Sequence, residues 1–70
     1  MPLIDITIAE GRPEEAVRAL ITQVTDAVER SIGARRDTIR VIVREVSTDR
    51  WANGGETLTE IRARREEGAR

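Results

Sequence analysis

The chain contains no lysine, histidine, cysteine, tyrosine or phenylalanine among its 70 residues, and each absence removes a class of chemistry. Without cysteine there is no disulfide framework and no thiolate metal site. Without histidine the commonest zinc ligand is missing, and a serine nucleophile lacks its usual partner. No metal and no organic cofactor is expected. The single aromatic, Trp51, means that the core must be aliphatic, and a hydrophobic content of 39% is that of a folded chain. No apolar run approaches the roughly 20 residues of a membrane span, and the start lacks the basic-then-apolar layout of a signal peptide. A cytoplasmic protein without membrane contact is therefore expected. The net charge of -1 balances 12 cations against 13 acids, so there is no basic field to attract nucleic acid. All the cations are arginine, which also suits planar recognition of carboxylates.

What is present reads as one small α+β domain over residues 1–70. Leu3 to Ala9 alternates strictly, with Ile4, Ile6 and Ile8 on one face and Leu3, Asp5, Thr7 and Ala9 on the other, which predicts a half-buried strand. Gly11 and Pro13 break it and open a helix whose first turn carries Glu14 and Glu15 at the positive end of its dipole. Val17, Leu20, Ile21, Val24, Ala27, Val28 and Ile32 recur at spacings of three and four, drawing one apolar stripe along about five turns that Gly33 ends. Ile39 to Val46 is a second strand, with Ile39, Val41 and Val43 opposite Arg40, Ile42, Arg44 and Val46. Two strands joined by one long helix form a parallel β-α-β unit. The helix covers one sheet face and leaves Leu3, Ala9, Ile42 and Val46 on the other. A chain this short buries too little alone, so protomers are expected to extend the sheet and stack their open faces. Asn53-Gly54-Gly55 is a turn signal expected to launch a short hairpin strand from Thr57 to Ile61, and residues 63–70 read as a charged, poorly ordered tail.

Proton-transfer chemistry needs a base near neutral pH, and only carboxylates and the N-terminus are left to supply one. Glu14, Glu15, Asp26 and Glu29 lie on the polar side of the helix, and Glu60, Glu66 and Glu67 in or near the tail. Asp5 and Glu45 lie on strands with no sign of a converging pair. Pro2 is small enough to permit removal of Met1, which would leave a secondary amine at the head of the first strand. An α-amino group titrates at roughly 7.7 to 8.0, so a base working at pH 7 needs burial beside positive charge to lower its pKa. On position alone, Pro2 reads as a strand cap.

Pro2 heading a strand, Glu10-Gly11-Arg12 at its end, the long helix, Ile39-Arg40-Val41-Ile42, Trp51 and Asn53-Gly54-Gly55-Glu56 together resemble a 4-oxalocrotonate tautomerase subunit. The likeness runs from Pro2 to about Arg62. It implies a tautomerase-like fold, a homohexamer built as a trimer of dimers, and an isomerase that moves a proton along a conjugated enol or dienol carboxylic acid such as 2-hydroxymuconate, as in aromatic catabolism. Pro2 would be the general base. Arg12 would hold the distal carboxylate of the substrate, and Arg40, from a neighbouring subunit, the reacting end; read without the resemblance, Arg40 pairs with Asp5 or Glu45. Trp51 would keep the pocket dry, or anchor an interface, or both, and Arg62 would help to gather the substrate. Hydratase-type relatives carry an arginine and a glutamate where this chain has Ala9 and Asn53, so hydration is not expected. Tautomerases carry larger apolar residues at both, so Ala9 and Asn53 imply an altered pocket. Two alternatives accompany this reading: a biosynthetic tautomerase for a bulkier enol, and a non-catalytic subunit of a mixed oligomer that retains Met1.

Overall fold

The computed structural model describes residues 1–68. Strand β1 (Leu3–Ala9), helix α1 (Glu14–Ile32) and strand β2 (Arg40–Val46) form the predicted unit, with β1 and β2 parallel and paired from Leu3↔Arg40 to Ala9↔Val46. The alternation holds through the register. Ile4, Ile6, Val41 and Val43 are half-buried, whereas Leu3, Asp5, Thr7, Arg40, Ile42 and Arg44 are exposed on the open face. Pro13, with extended backbone, caps α1, and its carbonyl accepts from the Ala16 N–H at 3.0 Å. The helix ends where Gly33 takes φ 68°, a left-handed conformation that glycine adopts without a Cβ clash, and its N–H donates to the Glu29 carbonyl at 3.1 Å. Arg36 then ties the following turn back to the helix through Asp26 (2.7 Å) and Glu29 (3.2 Å).

Two expectations about α1 are modified. Ala27 and Ile32 belong to the apolar stripe but are exposed. Nineteen helical residues run about 28 Å, against about 23 Å for a seven-residue strand, so the helix overhangs the sheet at its C-terminal end.

The region after β2 differs more. The hairpin turn at Gly54-Gly55 forms, but the strands it joins are β3 (Ala52–Asn53) and β4 (Glu56–Thr57), and no strand runs on to Ile61. Helix α2 (Leu58–Gly68) begins there instead. Thr57 and Glu60 form a capping box: the Thr57 N–H donates to Glu60 Oε1 at 2.9 Å, and the Glu60 N–H donates to Thr57 Oγ1 at 3.2 Å. Two of the N–H groups that helix initiation would otherwise orphan are thereby satisfied. Residues 63–68, read as a poorly ordered tail, are exposed helix, held by Arg64 donating two hydrogen bonds to Glu56 (2.8 and 3.0 Å). Positions 69 and 70 of that tail lie outside the described residues.

Among the described residues only Ala9 and Val17 are buried. The radius of gyration is 16.1 Å, where a compact chain of this length would have about 11 Å. The accessible surface is 5376 Å², about 1,000 Å² above the scaling for a compact monomer of this mass. Leu3 is 61% exposed and Ile42 41%, diagonal neighbours on the open sheet face. Ala9 and Val46, also expected there, are more sheltered: Ala9 is buried and Val46 half-buried.

Candidate active site

The expected site residues fall into two groups at opposite ends of the sheet. At the head of β1, the Pro2 carbonyl accepts the Arg40 N–H at 3.0 Å, which places Pro2 and Arg40 of one chain side by side. Asp5, the expected strand partner of Arg40, is taken by Arg44 through two hydrogen bonds of 3.0 and 3.1 Å. Arg40 has no carboxylate partner among the described residues. Pro2 is half-buried and Met1 is 86% exposed, with the Met1–Pro2 bond projecting from the strand.

At the other end, Arg12 Nη1 donates to the Ala9 carbonyl at 3.0 Å, and the Glu10 N–H donates to the Val46 carbonyl at 2.8 Å. Arg12 likewise has no carboxylate partner among the described residues. An open hollow of about 440 Å³ lies at this end of the sheet, lined by Thr7, Val46, Arg50, Trp51 and Ala52. Trp51 is half-buried, and its carbonyl accepts the Leu58 N–H at 2.8 Å, so the start of α2 fixes the wall that carries the indole. The threonine pair Thr48 and Thr59 (2.7 Å) and the bond from Thr59 Oγ1 to Asp49 Oδ1 (2.6 Å) hold the same loop.

The structure therefore gathers Ala9, Arg12 and Trp51 at one end of the sheet and Pro2 and Arg40 at the other, about 23 Å away along β1. It does not bring Asn53, in β3, or Arg62, on the exposed face of α2, into the lining of the hollow. Thr7, Val46, Arg50 and Ala52 were not singled out from the sequence. Thr7 and Val46 carried a signal, since the alternation places both on the open face; Arg50 and Ala52 carried only their adjacency to Trp51.

A parallel β-α-β unit with one long helix and a short hairpin after its second strand defines a small α+β subunit. The family model described as "Tautomerase enzyme" matches residues 2–61, and the chain belongs to that family. A probable tautomerase of Staphylococcus epidermidis is 42% identical over 55 residues, covering 79% of this chain and 90% of the relative. One from Ralstonia nicotianae is 46% identical over 55 residues, covering 79% of each. Among solved structures, TomN, a 4-oxalocrotonate tautomerase homologue in the tomaymycin biosynthetic pathway, shares 40% identity with a TM-score of 0.85, over 89% of this chain and 95% of TomN. A heterohexamer 4-oxalocrotonate tautomerase from Chloroflexus aurantiacus shares 30% identity with a TM-score of 0.82, over 87% of this chain and 98% of that one. The chain is thus an isomerase of the 4-oxalocrotonate tautomerase-like type, with an α+β tautomerase fold. The family match ends one residue before Arg62.

Proposed function

We propose that the chain, as a single domain, moves a proton along a conjugated enol or dienol carboxylic acid to give the oxo form, with Pro2 as general base once Met1 is removed. The ring nitrogen takes the hydroxyl proton of the substrate and returns it to a carbon further along the conjugated system. Arg12 and, from a neighbouring subunit, Arg40 hold the carboxylates in the forked geometry that guanidinium offers, and Trp51 excludes water. The observation that supports this most directly is the division of the site: candidate base and one arginine at one end of the sheet, the other arginine and the walled hollow at the opposite end. Antiparallel pairing of two copies along a sheet edge would bring the Pro2 end of each to the Arg12–Trp51 end of the other. Such pairs, stacked by their open faces, would build the hexamer.

Likeness to TomN favours a second reading, in which the chain serves a biosynthetic pathway and takes a bulkier enol. The small side chain of Ala9, at the end of the sheet that carries the hollow, suits that substrate. The test is ketonisation of 2-hydroxymuconate and of a phenylenolpyruvate-type enol, followed by ultraviolet absorbance, on protein whose N-terminus is verified by intact mass. Pro2→Ala is expected to lower kcat/KM by about 10²-fold or more. A Pro2→Ala variant with the unmodified rate, or full activity in protein that keeps Met1, would overturn the assignment of the base.

A further inference from the structure

Arg50 is the one charged side chain lining the hollow. Its backbone is fixed, because its N–H donates to the Ser47 carbonyl at 2.9 Å and the next residue, Trp51, is tied to α2. Its side chain is not committed in the same way. The guanidinium makes one hydrogen bond among the described residues, from Nη1 to the Asp49 carbonyl at 3.3 Å. Asp49, the acid beside it in sequence, turns its carboxylate to Thr59 instead, at 2.6 Å. Arg36, Arg44 and Arg64, by contrast, are each satisfied by carboxylates. A guanidinium carries five N–H donors in a fixed fork. Most of the fork of Arg50 is therefore open to an anion that enters beside Trp51.

The geometry points to Arg50 as a specificity-determining residue that binds a carboxylate of the substrate at the end remote from proton transfer. Arg12 is anchored on Ala9 at this same end of the sheet, and Ala9 pairs with Val46 of the hollow. Two guanidinium groups there favour a dicarboxylate over the corresponding monocarboxylate. The inference rests on the tautomerase reading for its substrate class, but the binding it describes needs no turnover.

Because Trp51 is the only aromatic residue, intrinsic fluorescence reports directly on the hollow. The probes are muconate and sorbate, two dienoic acids that differ by one carboxylate in place of a methyl group. The protein is expected to bind muconate more tightly than sorbate. Arg50→Gln should weaken muconate by about 10-fold, the loss of one charge-assisted contact, and leave sorbate unchanged. Arg50→Lys should recover part of the difference. In turnover, Arg50→Gln should raise KM for 2-hydroxymuconate and preserve kcat. Equal weakening of both probes, unchanged muconate binding, or absence of binding to the unmodified protein would overturn the assignment. Preference for muconate that depends on Arg50, in protein that ketonises neither enol, would uphold the anion site and overturn the tautomerase reading instead.

Discussion

Asp5 and Arg44 meet diagonally across the parallel pair, on the sheet face that α1 leaves open. Two hydrogen bonds from the Arg44 guanidinium hold the Asp5 carboxyl below its ordinary range, against a smaller opposing desolvation. A carboxyl whose pKa is depressed on folding stabilises the folded chain above its unfolded value of about 3.9, and loses that contribution as pH falls through the folded value. Both groups are solvent-exposed, so the effect is small and screened by salt. Asp5→Asn is expected to lower the urea midpoint slightly at pH 7. It should also flatten the fall in that midpoint between pH 5 and pH 3. Equal slopes in the two proteins would show that the pair contributes nothing. The same pairing matters to the site, because it removes Asp5 as a partner for Arg40 and leaves the Arg40 guanidinium without a carboxylate among the described residues.

At the scale of elements, α2 depends on its cap, since its exposed, charge-rich sequence offers little apolar packing. Bonding to the Thr57 N–H and hydroxyl holds the Glu60 carboxyl below its ordinary range, so this cap too weakens as acid protonates Glu60. Thr57→Ala removes the hydroxyl that accepts the Glu60 N–H, at a cost of about 1 kcal/mol to the helix. The expected result is reduced ellipticity at 222 nm at pH 7 and a smaller further loss near pH 3 than in the unmodified protein. Unchanged helix content would mean that the Arg64–Glu56 pair and the Thr48–Thr59–Asp49 network hold α2 without the cap. This helix marks where the sequence was hard to read. β1, α1 and β2 were legible because Ile4-Ile6-Ile8 and Val17-Leu20-Ile21-Val24 show clean periods of two and of three to four, punctuated by Pro13 and Gly33. Between Leu58 and Gly68 Ile61 is the only other apolar side chain longer than alanine, so no stripe announces a helix, and the T-x-x-E pattern of Thr57 and Glu60 was the one signal available. Candidate site residues could be named from the sequence, but their placement could not. Linear order puts Pro2 just before β1 and Arg12 just after it, and the strand between them, about 23 Å long, sets them at opposite ends of the sheet.

At the scale of the molecule, that separation and the surplus surface point the same way. Among the described residues only Ala9 and Val17 are buried, and Leu3 and Ile42 present apolar side chains beside the Asp5–Arg44 pair. In a lone chain, replacing the exposed Ile42 would change stability little, since surface substitutions usually lie within about 0.5 kcal/mol. In an assembly whose open faces are stacked, the same side chain is covered, and a guanidinium there would be desolvated without a partner. Ile42→Arg therefore separates the two states of the protein. The expected outcome is a shift to smaller species in sedimentation velocity, with a lower Tm that no longer rises with protein concentration as it does for a subunit stabilised by its copies. Activity should survive in edge-paired dimers and fall only where dissociation proceeds to single chains, because the edge-paired copy supplies each Pro2 end with its Arg12–Trp51 end. An Ile42→Arg protein with unmodified sedimentation and Tm would place the interface elsewhere. Full activity in Ile42→Arg protein that sediments as single chains would overturn a site completed between copies.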